Sequence, residues 1–129
     1  MVLVDTSIWI DYFRDPTAEG NDLLEELIRE QNRVAICGII IQEILQGIRD
    51  EKSYQLTRQR LLFLPFLEAM REVHLVAAEL YRDLRKIGVT VPSTDAAIAA
   101  VAIHYGLPLF TADTHFIEIA RHSGLKLFA

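Results

Sequence analysis

Short apolar runs alternate with helical patterns along the whole chain, and that alternation leaves few folds open. Val2 to Val4 is an aliphatic, β-branched run ending at Asp5, and it reads as a buried strand. Thr6 to Phe13 reads as a short helix, broken at Asp15-Pro16. Glu19 to Gln31 carries Leu23, Leu24, Leu27 and Ile28 at amphipathic helical spacing. Val34 to Ile36 predicts a second strand, Gly38 to Ile48 a helix, and Ser53 to Leu64 a further helix stopped near Pro65. Glu72 to Val76 reads as a third strand, and Ala77 to Ile87 as a helix capped by Gly88. Ser93 to Tyr105 is a strongly apolar helix ending at Gly106, followed by a strand over Leu107 to Phe110. Thr114 to His122 predicts a helix ending near Gly124, and Lys126 to Phe128 a last short strand. Alternation of this kind argues for an α/β fold, a parallel sheet flanked by helices on both faces. Short strands that are apolar throughout suit a sheet buried on both sides. In such folds the ligand site lies beyond the carboxyl ends of the strands.

The carboxylates narrow the function. Asp5 follows the first strand and Asp113 lies just past the Leu107 to Phe110 strand, so both project near one sheet edge. Each also has a capping explanation, since Asp-Thr-Ser and Asp-Thr are good helix starts. Asp95 opens Asp95-Ala-Ala-Ile-Ala-Ala-Val-Ala-Ile103 and shares one side with Ile98, Ala99 and Ala102. A helix apolar all round is buried, and its N-terminus favours an anion. Capping by Ser93, Thr94 or Asp95 itself is the competing account. Glu43 sits in Gly38-Ile-Ile-Ile-Gln-Glu-Ile-Leu45, where a glutamate needs either a partner or an exposed stripe shared with Gln42 and Gln46. Four carboxylates brought together repel one another, and a divalent cation removes that conflict. Oxygen ligands suit Mg²⁺ or Mn²⁺, and the chemistry that calls for such a site is phosphodiester hydrolysis.

A net charge of −5 argues against a nucleic-acid partner, because such proteins usually carry a basic footprint. Bound metal would offset part of it. Basic residues also fall in local groups, Arg58 with Arg60 and Arg82 with Arg85 and Lys86; the second group can contact phosphates or simply form a solvated helix face. With 51% hydrophobic and 24% charged residues in 129, there is material for one packed domain. No apolar run approaches the roughly 18 residues of a membrane span. Met1 to Asp5 lacks the basic and long apolar regions of a signal peptide. The single cysteine, Cys37, can neither staple the chain nor supply a Cys-rich zinc site, and it reads as a small core residue. The expected location is the cytoplasm.

Four motifs in order match a known pattern: Asp5-Thr-Ser-Ile-Trp-Ile, Gln42-Glu-Ile-Leu-Gln-Gly47, Asp95-Ala-Ala-Ile-Ala-Ala, and Thr111-Ala-Asp-Thr-His-Phe116. Over residues 3 to about 116 the chain resembles the PIN-domain family, and within it the VapC-type toxins of toxin–antitoxin pairs. The resemblance implies an α/β/α sandwich over residues 1–129 as a single PIN-like nuclease domain, and a Mg²⁺-dependent endoribonuclease acting on RNA. It implies Asp5, Glu43, Asp95 and Asp113 as the catalytic, metal-holding acids, with Asp5 and Asp95 the most direct ligands. Thr6, Ser7 and Thr111 match polar positions that support the carboxylates or a bound water. Family members usually form homodimers and are silenced by a cognate VapB-type antitoxin whose tail occupies a groove. One residue departs from the commonest form of the last motif, Thr-x-Asp-x-Asp-Phe: His115 stands where the second Asp would be.

The remaining residues divide between bland and functional readings. His74, His104 and His122 read as ordinary surface or core histidines, whereas His115 lies close enough to Asp113 to approach a substrate phosphate. Trp9, Tyr12 and Phe13 read as core or partner groove before base-stacking platform. Leu61, Leu62, Leu64, Phe66 and Leu67 exceed what one short helix buries, which predicts a dimer or antitoxin surface. Two other functions stay open at this point. One is a housekeeping RNA-processing or structure-specific DNA nuclease of the same fold. The other is a non-catalytic α/β module with an acidic pocket. A receiver-type pocket is disfavoured, since no acidic pair sits near the first strand, and residue 7 is Ser where an Asp-x-Asp phosphatase needs Asp.

Overall fold

The computed structural model describes residues 1–15, 19–30 and 33–128. Pro16 and Gln31, at which a helix break and a helix end are expected, lie outside them. Four strands form one sheet: β1 (Val2–Val4), β2 (Val34–Cys37), β3 (Phe66–Leu67) and β4 (Leu109–Phe110). Their order is β3-β2-β1-β4, and every pairing is parallel. Every residue of β1 and β2 is buried. Successive side chains of a strand point to opposite faces, so layers cover both sides of the sheet.

The layers are α1 (Thr6–Arg14), α2 (Asp22–Arg29), α3 (Gly38–Gln46), α4 (Glu51–Leu62), α5 (Arg71–Lys86), α6 (Ser93–Tyr105) and α7 (His115–Arg121). A 3₁₀ turn over Glu19–Asn21 leads into α2. Helix α6 is the most buried, with Ile98, Ala99, Ala100 and Ala102 all at 0% exposure. Its alanines present little more than backbone, so neighbouring elements pack close on every side. Gly106 ends α6 at φ 66°, the left-handed cap that only glycine adopts without strain. The chain then turns directly into β4.

Two expectations about strands need correction. Residues 72–76 are not a strand but the first turns of α5. Val73, Ala77, Leu80 and Leu84 form one buried stripe at helical spacing, whereas Leu75 is 58% exposed. Tertiary burial selects the 3.6-residue period over the short alternation in Glu-Val-His-Leu-Val. The third strand is instead Phe66–Leu67, directly after Pro65, where Ile36 N donates to Pro65 O at 2.9 Å. Lys126 to Phe128 forms no strand beyond a single parallel bridge, Leu127 beside Leu109.

The chain leaves β1 for β2 on one side, while β4 arrives on the other. The β1–β4 boundary is therefore the point where strand order reverses, and a crevice opens there beyond the carboxyl ends. Among the described residues no helix is long and apolar enough to cross a membrane.

Candidate metal centre

Asp5 is the residue immediately after β1. Its amide donates to Phe110 O at 2.9 Å, continuing the β1–β4 ladder by one bond. The pairing of Val4 with Phe110 therefore sets Asp5 beside Thr111. Thr111 Oγ1 donates to Asp5 Oδ2 at 2.8 Å, and Ser7 Oγ donates to the same oxygen at 2.8 Å. Ser7 Oγ in turn accepts from Ala112 N at 3.1 Å, tying the start of α1 to the segment after β4. Asp5 also caps α1 through a long contact from Ser7 N, 3.4 Å. Capping and site-building thus coexist in this residue. All these bonds fall on Oδ2, which fixes the carboxylate while Oδ1 takes none of them.

Asp95 is 8% exposed and is not the cap of α6: the N-cap is Pro92, which makes no side-chain cap hydrogen bond. The partner of Asp95 is His115, whose Nδ1 lies 3.1 Å from Asp95 Oδ2. Burial pushes the Asp95 carboxyl up to about 6, and the nearby Asp113 charge adds to the rise. The hydrogen bond from His115 opposes it, and the Asp5 charge contributes a smaller push upward. A carboxyl raised this far, chiefly by burial and further by the neighbouring Asp113 charge, marks a candidate functional group.

Asp113 arrives through a tight local turn. Asp113 N donates to Thr111 Oγ1 at 3.0 Å, and Asp113 Oδ1 accepts from His115 N at 2.9 Å. The same Oδ1 is 3.2 Å from His115 Nδ1. Asp95, Asp113 and His115 each offer a ligand atom, and these atoms lie within 4.8 Å of one another. Such a donor set fits a divalent cation, whose charge would offset those of Asp95 and Asp113.

Glu43 stands on α3, partly buried, and its Oε1 accepts from Thr6 Oγ1 at 2.8 Å. It is therefore partnered rather than part of the exposed stripe of Gln42 and Gln46. Its charge, with that of Asp5, acts on Cys37 at the end of β2. Burial is the main reason that thiol is pushed up, which suits a core cysteine. Asp5 is near enough for its charge to act on Asp95, and among the described residues the ligand atoms that converge are those of Asp95, Asp113 and His115.

Arg82, Arg85 and Lys86 lie on the exposed side of α5. The Arg85 guanidinium stands 5.6 Å over the Tyr81 ring, and Lys86 Nζ is 3.9 Å from Asp83. None of these contacts leads to the carboxylates. His115 is the residue whose place at the centre the sequence underplays. Its signal was the two-residue spacing from Asp113; the contact with Asp95, 20 positions away, depends on how α7 meets α6.

Trp9 is core, 2% exposed with its indole N–H on Val4 O at 3.1 Å. Its ring stacks on Phe13, and Tyr12 packs edge-on to both. Together with Ile28, Arg60 and Phe63 they line a cleft of about 390 Å³ on the α1 side of the molecule. Of the five apolar residues read as an association surface, Leu61 and Leu67 belong to the core at 2% and 8% exposure. Leu62 and Phe66 are exposed, as are Phe63, Met70 and Leu75.

The sequence profile of the PIN domain matches residues 2–122. Ribonuclease VapC11 of Mycobacterium tuberculosis is 35% identical over 129 residues, spanning 98% of this chain and 96% of that protein. Ribonuclease VapC1 of Methanocaldococcus jannaschii is 32% identical, spanning 98% of this chain and 86% of that protein. The DNA-bound VapBC structure from Salmonella typhimurium matches with a TM-score of 0.83 at 20% identity, over 98% of this chain and 96% of that one, a likeness of fold. With the profile spanning nearly its whole length and relatives this similar, the chain belongs to the PIN-domain family, in its VapC-type group.

Proposed function

We propose that this protein is a metal-dependent endoribonuclease and the toxin of a type II toxin–antitoxin pair. The observation that carries the reading is the buried Asp95 meeting Asp113 and His115 where strand order reverses. The names of the similar ribonucleases support RNA as the substrate.

Asp95 and Asp113 hold the cation, Mg²⁺ or Mn²⁺. Asp5 supports them from the β1 end, and Glu43 does so from α3. When bound, the cation supplies Lewis acidity, acidifying water and neutralising charge that develops on a scissile phosphate. The protein's own part is orientation. Thr111 and Ser7 lock Asp5 in one rotation, and Thr6 holds Glu43 against the same edge. A cleft of about 380 Å³ opens beside His115, lined by Val89, Val91, Thr114, Ile117 and Arg121, and would accommodate a nucleotide next to the scissile bond. Arg121, already paired with Glu118, and the Arg82, Arg85 and Lys86 group are the cations available to RNA phosphates.

Two protein partners accompany this reading. The aromatic cleft of Tyr12, Phe13 and Phe63 receives an apolar segment of a VapB-type antitoxin. Leu62, Phe66, Met70 and Leu75 are covered by a second copy of the chain, giving a homodimer that works in the cytoplasm. The first test is incubation of the purified protein with total cellular RNA in Mg²⁺ or in excess EDTA. Discrete fragments in Mg²⁺ alone, with mapped ends at a defined sequence, are the expected result. Intact RNA in Mg²⁺ and in Mn²⁺, from well-folded protein free of antitoxin, would overturn it.

A further inference from the structure

Among the carboxylates of this centre the chain places one imidazole, that of His115. Its Nδ1 is nearly equidistant from two carboxylates, 3.1 Å from Asp95 Oδ2 and 3.2 Å from Asp113 Oδ1. In an octahedral shell with bonds of about 2.1 Å, adjacent ligand atoms sit roughly 3 Å apart. The nitrogen and its two oxygen neighbours are thus already spaced as adjacent ligands of one ion.

The ring is also held in place. His115 N donates to Asp113 Oδ1 at 2.9 Å, which leashes the backbone to one of the carboxylates the side chain approaches. Phe116, the next residue, is at 0% exposure and anchors the start of α7 in the core. Without metal, Nδ1–H can donate to both carboxylates. The tautomer protonated at Nε2 turns a lone pair to the same point.

We infer that His115 is itself a metal ligand through Nδ1, so that the cation is held by Asp95, Asp113 and His115 in a mixed nitrogen–oxygen set. The inference rests on the reading of Asp95 and Asp113 as metal-holding. A nitrogen donor favours transition ions over Mg²⁺, whereas oxygen-only sites suit Mg²⁺ well. The centre of this chain therefore prefers Mn²⁺ to Mg²⁺ more strongly than a version with Asp at the same position.

Pulsed electron paramagnetic resonance of the full chain, stripped with EDTA and reloaded with Mn²⁺, reads this directly. The wild type is expected to show a ¹⁴N coupling to Mn²⁺ that converts to a ¹⁵N coupling in protein grown with [¹⁵N]histidine. That labelling leaves the fold untouched. His115→Asp is expected to bind Mn²⁺ without the coupling and to lose about tenfold in its preference for Mn²⁺ over Mg²⁺ by calorimetry. Tight Mn²⁺ binding with no histidine nitrogen coupling overturns the inference and leaves the carboxylate reading standing. Failure of folded wild type to bind Mn²⁺ at all overturns both.

Discussion

At the scale of single residues, Asp95 determines how the centre responds to pH. Its carboxyl is raised from an ordinary 3.8 to about 6, chiefly by burial. A raised acid stabilises the fold when protonated. That contribution is complete below pH 4 and is lost as pH rises through about 6. The metal-free protein should therefore carry a destabilising, crowded charge at pH 8. Asp95→Asn removes the charge while keeping a polar group beside His115. Its metal-free melting temperature at pH 8 is expected to rise by roughly 2–5 °C, with little change at pH 4. A lower midpoint at pH 8 would show that the carboxylate is structurally required. Metal competes with the same proton, so the affinity of the wild type should climb between pH 5 and 7 and then level off. Thr111 tests orientation rather than charge. Thr111→Val removes the hydroxyl that fixes Asp5 and also leaves Asp113 N without its acceptor. Cleavage is expected to fall about tenfold or more, for a stability cost of about 1–2 kcal/mol. Activity at wild-type level in that variant would remove Thr111 from the site.

At the scale of elements, α6 both carries Asp95 and fills the centre of the molecule. Ile98 lies one turn beyond Asp95 on the same side and is fully buried. Ile98→Ala is expected to cost about 2–4 kcal/mol in chemical denaturation, a loss the buried setting sets apart from a surface change. This helix was legible in the sequence because an all-apolar pattern has only one stable destination. The glycine ends of α5 and α6 were legible for a similar reason, since a left-handed residue after a helix selects glycine. β1 and β2 were legible from their unbroken apolar runs. β3 was not, because two residues carry no period, and only pairing with Ile36 and Cys37 makes Phe66–Leu67 a strand. The Glu-Val-His-Leu-Val stretch misled in the opposite direction. Five residues can satisfy an alternating pattern, and the buried stripe that makes them helical appears only over the full length of α5. Asp95 and Asp113, two of the three residues whose ligand atoms converge, could be singled out from short motifs at a helix start and after a strand. The imidazole bridge between Asp95 and Asp113 could not, because it depends on the approach of two helices.

At the scale of the whole molecule, the proposed function requires an acidic protein of net charge −5 to meet a polyanion. Clustering carboxylates at one crevice and leaving Arg82, Arg85 and Lys86 on the surface of α5 separates the two signs. On that reading a bound cation would make the crevice the place where phosphate is tolerated. Association belongs to the same scale. Phe66 is 47% and Met70 67% exposed, and on the proposed reading a second copy of the chain covers them. Light scattering coupled to size exclusion is expected to give a dimer at micromolar concentration. A change of Met70 to Glu should yield a folded monomer, and an unchanged dimer would move the interface elsewhere. The most direct test of the central claim compares RNA cleavage by wild type and Asp95→Asn, purified in parallel and both shown to be folded. The account predicts cleavage by wild type in Mg²⁺, none in EDTA and none by Asp95→Asn. Equal cleavage by the two proteins would contradict it.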